Sequence, residues 1–222
     1  MDFRERLREI VALAYKLFYL RTAHGLIKIE NEASMQLQLG IIIKQVGEFY
    51  VFSKEENFSI ELEKWIDLKK ATPKSPKQRA RCDIWLALGN KEETVRAAIE
   101  LKYFKYSQNT EATTDNRFSL LMDLKNVEQY QDDCANLIGY AIVYTNNENY
   151  TKSDNETHST IILAPLITQS STRLLTKKKQ PVEVSVELRH QYIADWVKFP
   201  SPTKKKSGHY FVKIELDKYI VE

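Results

Sequence analysis

Asp83 and the tripeptide Glu100-Leu101-Lys102 are the residues whose types and spacing could do chemistry. Asp83 lies in Arg81-Cys82-Asp83-Ile84-Trp85-Leu86-Ala87-Leu88, and the tripeptide closes Val95-Arg96-Ala97-Ala98-Ile99-Glu100-Leu101-Lys102. Each run is short, apolar and bounded by polar sequence, as strands are. Two carboxylates brought together can hold a divalent cation, and a neighbouring lysine can help a metal-activated water attack a phosphodiester. That chemistry is hydrolysis of nucleic acid. Hard cations take oxygen ligands, so the main-chain carbonyl of Leu101 is a further candidate.

Strand alternation decides whether these groups converge. In the first run Cys82, Ile84, Leu86 and Leu88 share one face, and Arg81, Asp83, Trp85 and Ala87 the other. In the second, Ala98, Glu100 and Lys102 emerge together, opposite Ala97, Ile99, Leu101 and Tyr103. If the strands pair, Asp83 can meet Glu100 at one metal. Two other acid-x-lysine strings occur, Asp67-Leu68-Lys69 and Asp123-Leu124-Lys125. The first has no strand carboxylate upstream. The second falls in a predicted helix, where residues i and i+2 do not share a face.

The elements that must carry these residues follow from periodicity. An amphipathic helix is predicted over residues 3–20, and a second over 31–46 with Asn31 as cap and Gly47 as stop. The stripe Met35, Leu39, Ile42, Val46 of the second helix extends back three residues to Glu32. A carboxylate at the end of a core-facing stripe either reaches solvent or points into a polar site; the Asp83 context favours the site. Residues 48–53 read as a strand, 59–68 stay ambiguous, and the segment before Arg79, with Pro73 and Pro76, is a loop. Strands at 81–88 and 94–103 precede a polar loop from Tyr106 to Arg117, a helix over 118–135 and an apolar strand ending at Thr145. Further strands are expected at 160–166, 182–188 and 209–215. This order is a mixed α/β sheet with helices packed on it, and the step from 94–103 to 137–145 suits a parallel crossover.

Composition narrows the classes. The chain has 222 residues, 43% hydrophobic, enough for one domain with a substantial core. Cys82 and Cys134 lie far apart, which argues against a disulfide framework or a zinc site. No run approaches the ~18 apolar residues of a membrane span, and Lys16 interrupts the most apolar N-terminal stretch. The sequons at Asn57, Asn149 and Asn155 read as chance, and a cytoplasmic protein is expected. Charge is unevenly spread. Lys69, Lys70, Lys74, Lys77, Arg79 and Arg81 lie within 13 residues without an acid, and the remaining 27 basic residues face 30 acidic ones. Lys74, Lys77, Arg79 and Arg81, with Lys105 beyond the motif, are candidate phosphate contacts. The triplets Lys177-Lys178-Lys179 and Lys204-Lys205-Lys206 read as solvated loops. His24, His158, His190 and His209 show no metal-binding spacing, and Trp65, Trp85 and Trp196 are assigned to sheet or core packing.

The pattern resembles the PD-(D/E)xK nuclease superfamily, with its restriction-endonuclease-like fold. The resemblance covers roughly residues 30–145: Glu32 on the first core helix, Asp83 on the second core strand, Glu100 and Lys102 on the third. It departs from the family name at Cys82, which stands where that name implies proline. It implies a nuclease core within residues 1–145 and a β-rich C-terminal extension over 146–222 for substrate recognition or a dimer contact. It further implies that Asp83 and Glu100 hold Mg²⁺, or Mn²⁺ in its place. Glu32 assists through a second metal or a bound water, and Lys102 orients the attacking water. The function expected is that of a Mg²⁺-dependent DNA endonuclease of restriction, phage-defence or repair type. The alternatives are a nuclease-fold protein that binds nucleic acid or a protein partner without cutting, and an RNA-directed nuclease.

Overall fold

A computed structural model of the protein describes residues 1–105, 110–153, 161–177, 180–200 and 207–220, with backbone alone for residues 110–113, 174–177, 180–181, 207 and 219–220. The chain opens with helix α1 (Phe3–Ala23), where the Asp2 side chain accepts the Glu5 N–H at 2.7 Å. Helix α2 (Glu32–Glu48) starts as its sequence predicts. Asn31 Oδ1 accepts the Ser34 N–H at 2.8 Å, and the Ser34 hydroxyl accepts the Asn31 N–H at 3.1 Å. This reciprocal cap satisfies two backbone donors that a helix start leaves unpaired.

Three strands follow: β1 (Asn57–Asp67), β2 (Arg79–Gly89) and β3 (Thr94–Phe104). Helix α3 (Thr110–Asp133) then crosses to β4 (Leu137–Asn147), which lies parallel to β3 with Glu100 beside Ala141. A short hairpin, β5 (Ser170–Lys177) with β6 (Gln180–Glu187), and the two-residue β7 (Gln191–Tyr192) lead to β8 (Val197–Pro200) and β9 (Ser207–Glu215). The final β10 (Tyr219–Ile220) pairs with β7. The main sheet is six-stranded and mixed, in the order β1-β2-β3-β4-β9-β8, and β3–β4 is its parallel pair. Two of its strands thus come from beyond residue 145. Among the described residues no helix is long and apolar enough to cross a membrane.

Helices cover both sheet faces. α1 and α2 bury Leu7, Ile10, Phe18, Met35, Leu39 and Ile43 against Ile84, Leu86, Ile99, Leu101, Ile142 and Phe211. α3 buries Phe118, Leu121, Leu124, Val127 and Tyr130 against Cys82, Ala98, Ala141, Val143 and Val212. Gly139 on β4 sets how closely α3 approaches. A Cβ there would lie 2.5 Å from Val127 Cγ1, so only glycine allows this depth of packing.

Three expectations are corrected. Residues 48–53 form no strand: α2 runs to Glu48, and Phe49 and Phe52 are exposed. Their aromatic pattern serves other contacts, with Phe52 stacked on Tyr50 and covered by the Arg6 guanidinium 4.6 Å from its ring centre. The polar stretch before Arg117 is helical from Thr110 onward, because Arg117 is buried and donates to the carbonyls of Ile161 (2.8 Å) and Asn149 (2.5 Å). Tertiary hydrogen bonds override the local polarity there. Among the described residues 161–166, only the isolated bridges Leu163–Ile167 and Leu166–Ile193 form. The ambiguous 59–68 region is an edge strand, β1.

Candidate functional site

The site begins where β2 and β3 part. Their register runs from Gly89 opposite Thr94 to Ile84 opposite Ile99 and ends there. Continued pairing would give the Leu101 N–H a β2 carbonyl; instead it donates to Asp83 Oδ2 at 2.7 Å. A side chain has replaced a backbone acceptor. An extended residue presents its N–H and C=O to the same edge, so the Leu101 carbonyl also faces this gap.

The alternation predicted for β2 fails at Asp83. Cys82 packs on the α3 side with Ala80, whereas Ile84, Leu86 and Leu88 pack under α1 and α2. β1 shares the irregularity: its register skips from Leu62–Ile84 to Lys64–Cys82, and Glu63 takes φ 57°. Only glycine adopts that conformation without cost. Glu63 is held in it by Gln36 Nε2 at 2.9 Å and Arg81 Nε at 2.5 Å. The same Gln36 Nε2 donates to the Asp83 carbonyl at 2.6 Å, so α2 clamps the irregular stretch of β2.

On β3 the alternation holds, and Glu100 and Lys102 both point toward α3. Glu100 is 1% exposed, and its Oε1 accepts the Tyr130 hydroxyl at 2.9 Å. Lys102 Nζ lies 2.8 Å from Asp123 Oδ2 and 3.6 Å from Glu32 Oε2. Glu32 is the first residue of α2, where a negative charge is favoured by the helix dipole. It also accepts the Tyr103 N–H at 3.4 Å. The step back along the α2 stripe therefore leads to the edge of the site, where the Glu32 side chain stays 45% exposed.

Asp123, Tyr130 and Gln36 belong to this cluster without having been singled out from the sequence, and Lys74, expected as a phosphate contact, joins them. Asp123-Leu124-Lys125 fails as a strand motif, because Lys125 turns away to Glu128. Yet Asp123 itself, fully buried, pairs with Lys102 and Lys74. Helical spacing was the available signal: Asp123 lies one turn before Val127 and two before Tyr130, both in the α3 core. Gln129, also on α3, donates to Asp133 at 2.9 Å.

Lys74 arrives from the loop between β1 and β2. That loop is pinned to α3 by buried Asn126, which bonds the Thr72 and Ser75 hydroxyls, and by Asp133, which accepts the Lys69 N–H at 2.9 Å. The Lys74 stem is partly exposed, but its ammonium enters the cluster, pairing with Asp123 and lying 3.4 Å from Glu100 Oε2. Burial pulls its pKa down, and Glu100 and Asp123 more than offset this.

Negative charge is in excess here. Four carboxylates (Glu32, Asp83, Glu100 and Asp123) share two ammonium groups. Burial pushes Asp83 up to about 6, with Glu32 adding repulsion against the Leu101 hydrogen bond and both lysines. Glu100 is raised further, by burial first and by the charges of Asp123 and Asp83. Lys102 is raised because Asp123 and Glu32 outweigh its burial. The donor set suits a hard divalent cation: it is all oxygen and, fully ionised, carries a formal −2. Among the described residues, however, no three Asp, Glu, His or Cys side chains stand close enough together to hold one as they lie.

The basic candidates divide. Lys77 and Lys105 are exposed. Arg79 and Arg81 flank Trp65, 4.6 and 5.9 Å from its ring, and pair with Asp67 and Glu63. Trp65, expected to pack, is 56% exposed. Tyr106, His158, Lys178, Lys179 and residues 204–206 lie outside the described residues. Comparisons with protein-family models, with curated proteins and with solved structures give no match.

Proposed function

We propose that the protein is a Mg²⁺-dependent endonuclease hydrolysing the phosphodiester bonds of DNA, on a core of the restriction-endonuclease type. One observation carries the reading: Glu32, Asp83, Glu100 and Lys102, from α2, β2 and β3, lie around the point where β2–β3 pairing ends. A charge excess of this kind costs stability, which argues for a purpose other than folding. Asp83, Glu100, the Leu101 carbonyl and Glu32 are the groups that would hold Mg²⁺, with Mn²⁺ as substitute. When bound, the cation supplies positive charge against the phosphate and lowers the pKa of water.

The chain's own groups do the remaining work. Lys102 Nζ, held by Asp123, orients the attacking water. Tyr130 fixes the Glu100 carboxylate, and Gln36 fixes the strand backbone at Asp83. Lys77, Arg79, Arg81 and Lys105 supply phosphate contacts, and residues 146–222 a recognition surface or dimer contact. The proposed compartment is the cytoplasm, consistent with two unpaired cysteines. The test is nicking of supercoiled plasmid with Mg²⁺ or Mn²⁺. Cleavage is expected from the wild type and its loss from Asp83→Ala and Lys102→Ala; undiminished cutting by either variant rejects the mechanism.

A second reading, binding of nucleic acid or a protein partner without cleavage, is favoured by the Lys74 ammonium already lodged on Glu100 and Asp123. Under that reading the wild type retains DNA in a shift assay but leaves plasmid intact in both metals.

A further inference from the structure

We propose that Lys74 is a tethered cation of the acidic site, which a divalent metal must displace, so that metal binding releases the loop between β1 and β2. The inference rests on the metal-dependent reading of the site and adds the device that controls entry to it. Three observations carry it.

The first is position. Lys74 Nζ pairs with Asp123 and lies 3.4 Å from Glu100, and its charge also acts on Asp83. Glu100 and Asp83 are among the oxygen donors assigned to the cation, and an ammonium and a metal ion cannot share them. The second is fit. The four carboxylates Glu32, Asp83, Glu100 and Asp123 outnumber the ammonium groups of Lys74 and Lys102 by two, so the all-oxygen site keeps an attraction for a divalent ion that the lysines do not satisfy. The third is attachment. Lys74 is carried by a loop rather than a strand, and the loop is held to α3 by a few polar contacts: Thr72 and Ser75 to Asn126, and the Lys69 N–H to Asp133. Lys102, by contrast, is fixed within β3 and keeps Asp123 and Glu32 as partners when Lys74 leaves.

Displacement has a consequence for substrate. Lys69, Lys70, Lys74 and Lys77 all lie on this loop, which has no acid from Lys69 to Arg81. Withdrawn from Asp123 and Glu100, the Lys74 ammonium joins the exposed lysines that can meet a phosphate backbone. Metal loading and presentation of the basic loop are then one event, and the two classes of ligand reinforce each other.

The test uses the full chain and Mn²⁺ alone, with binding followed by electron paramagnetic resonance and by backbone amide exchange. Lys74→Met should bind Mn²⁺ about tenfold or more tightly than wild type, the shift that ~1.4 kcal/mol of relieved competition produces. In the wild type, saturating Mn²⁺ should abolish exchange protection of the Lys69, Ser75 and Gln78 amides, whose acceptors lie on α3 or within the loop. Equal affinity of variant and wild type overturns the proposal. So does unchanged protection of those amides at saturation, which would mean that Lys74 repels the metal from a distance without yielding a place to it. Absence of Mn²⁺ binding by both proteins overturns it together with the metal-dependent reading. Binding without displacement leaves that reading standing.

Discussion

Among the described side chains of helix α3, two buried carboxylates, Asp123 and Glu128, lie only five residues apart and differ in almost everything else. Glu128 is saturated. Its Oε1 accepts the Tyr192 hydroxyl and the Arg189 N–H, both at 2.7 Å, and its Oε2 accepts Lys125 at 2.9 Å. The Arg189 guanidinium closes the group through the Glu128 carbonyl at 3.0 Å and Asp132 at 2.7 Å. One carboxylate thus meets two cations and two neutral donors, and the result fastens the C-terminal segment to α3. Asp123 sits in the opposite situation, among three other carboxylates and two lysines. Burying a charge is tolerable when its partners are complete and costly when they are not. The Glu128 cluster is what α3 uses to hold the fold. The Asp123 cluster works against the interest of the fold, as the proposed catalytic role would require.

The comparison can be broken most sharply by function. Asp83→Ala and Lys102→Ala should each lower metal-dependent cleavage by about 10²–10³-fold or more, the usual cost of losing one preorganised charge. Glu128→Gln should leave the per-molecule rate nearly unchanged. Steady-state nicking rates on folded protein decide it.

Stability should rank in reverse. Glu128→Gln strips a buried acceptor from charged partners and should cost about 2–3 kcal/mol in urea unfolding. Glu100→Gln keeps an acceptor for Tyr130 and relieves the repulsion from Asp83 and Asp123, so it should cost nothing or stabilise by up to ~1 kcal/mol. If Glu100→Gln unfolds the protein as readily as Glu128→Gln, the distinction between the clusters is false.

The smallest effect tests a third carboxylate of the saturated kind. Arg6 is buried and donates twice to Glu56, at 2.8 and 2.9 Å, while Glu56 also accepts the Phe52 N–H at 2.8 Å. The Arg6 hydrogen bonds, with that of Phe52, hold Glu56 down to about 2. A depressed carboxylate stabilises above its unfolded pKa, and that contribution fades as pH falls through its folded value. Wild type should therefore lose stability between the ordinary glutamate range and pH 2, and Glu56→Gln should show a shallower acid limb by circular dichroism.

Much of this was legible in residue order. The Asn31 cap, the stripe ending in Glu32 and the shared face of Glu100 and Lys102 are local patterns of period 3.6 or 2, and they hold. Asp83 was legible as an acid on a strand but not in its orientation, because the break in alternation depends on Glu63, Gln36 and the end of β2–β3 pairing. Lys74 read as one of six basic loop residues, and nothing local sets it apart from Lys77. What selects it is the docking of Thr72 and Ser75 on Asn126, fifty residues away.

By itself, then, the sequence determined the mixed α/β class, the main helices and the residue types of the candidate site. These depend on side-chain type and short-range spacing, which the chain carries wherever it goes. Tertiary structure alone decided that Asp83 leaves its ladder, that Asp123 rather than an intact Asp-x-Lys string enters the site, and that Lys74 sits among the carboxylates. Those outcomes depend on which distant groups are left without partners when helices and sheet close, and that balance exists only in the folded molecule.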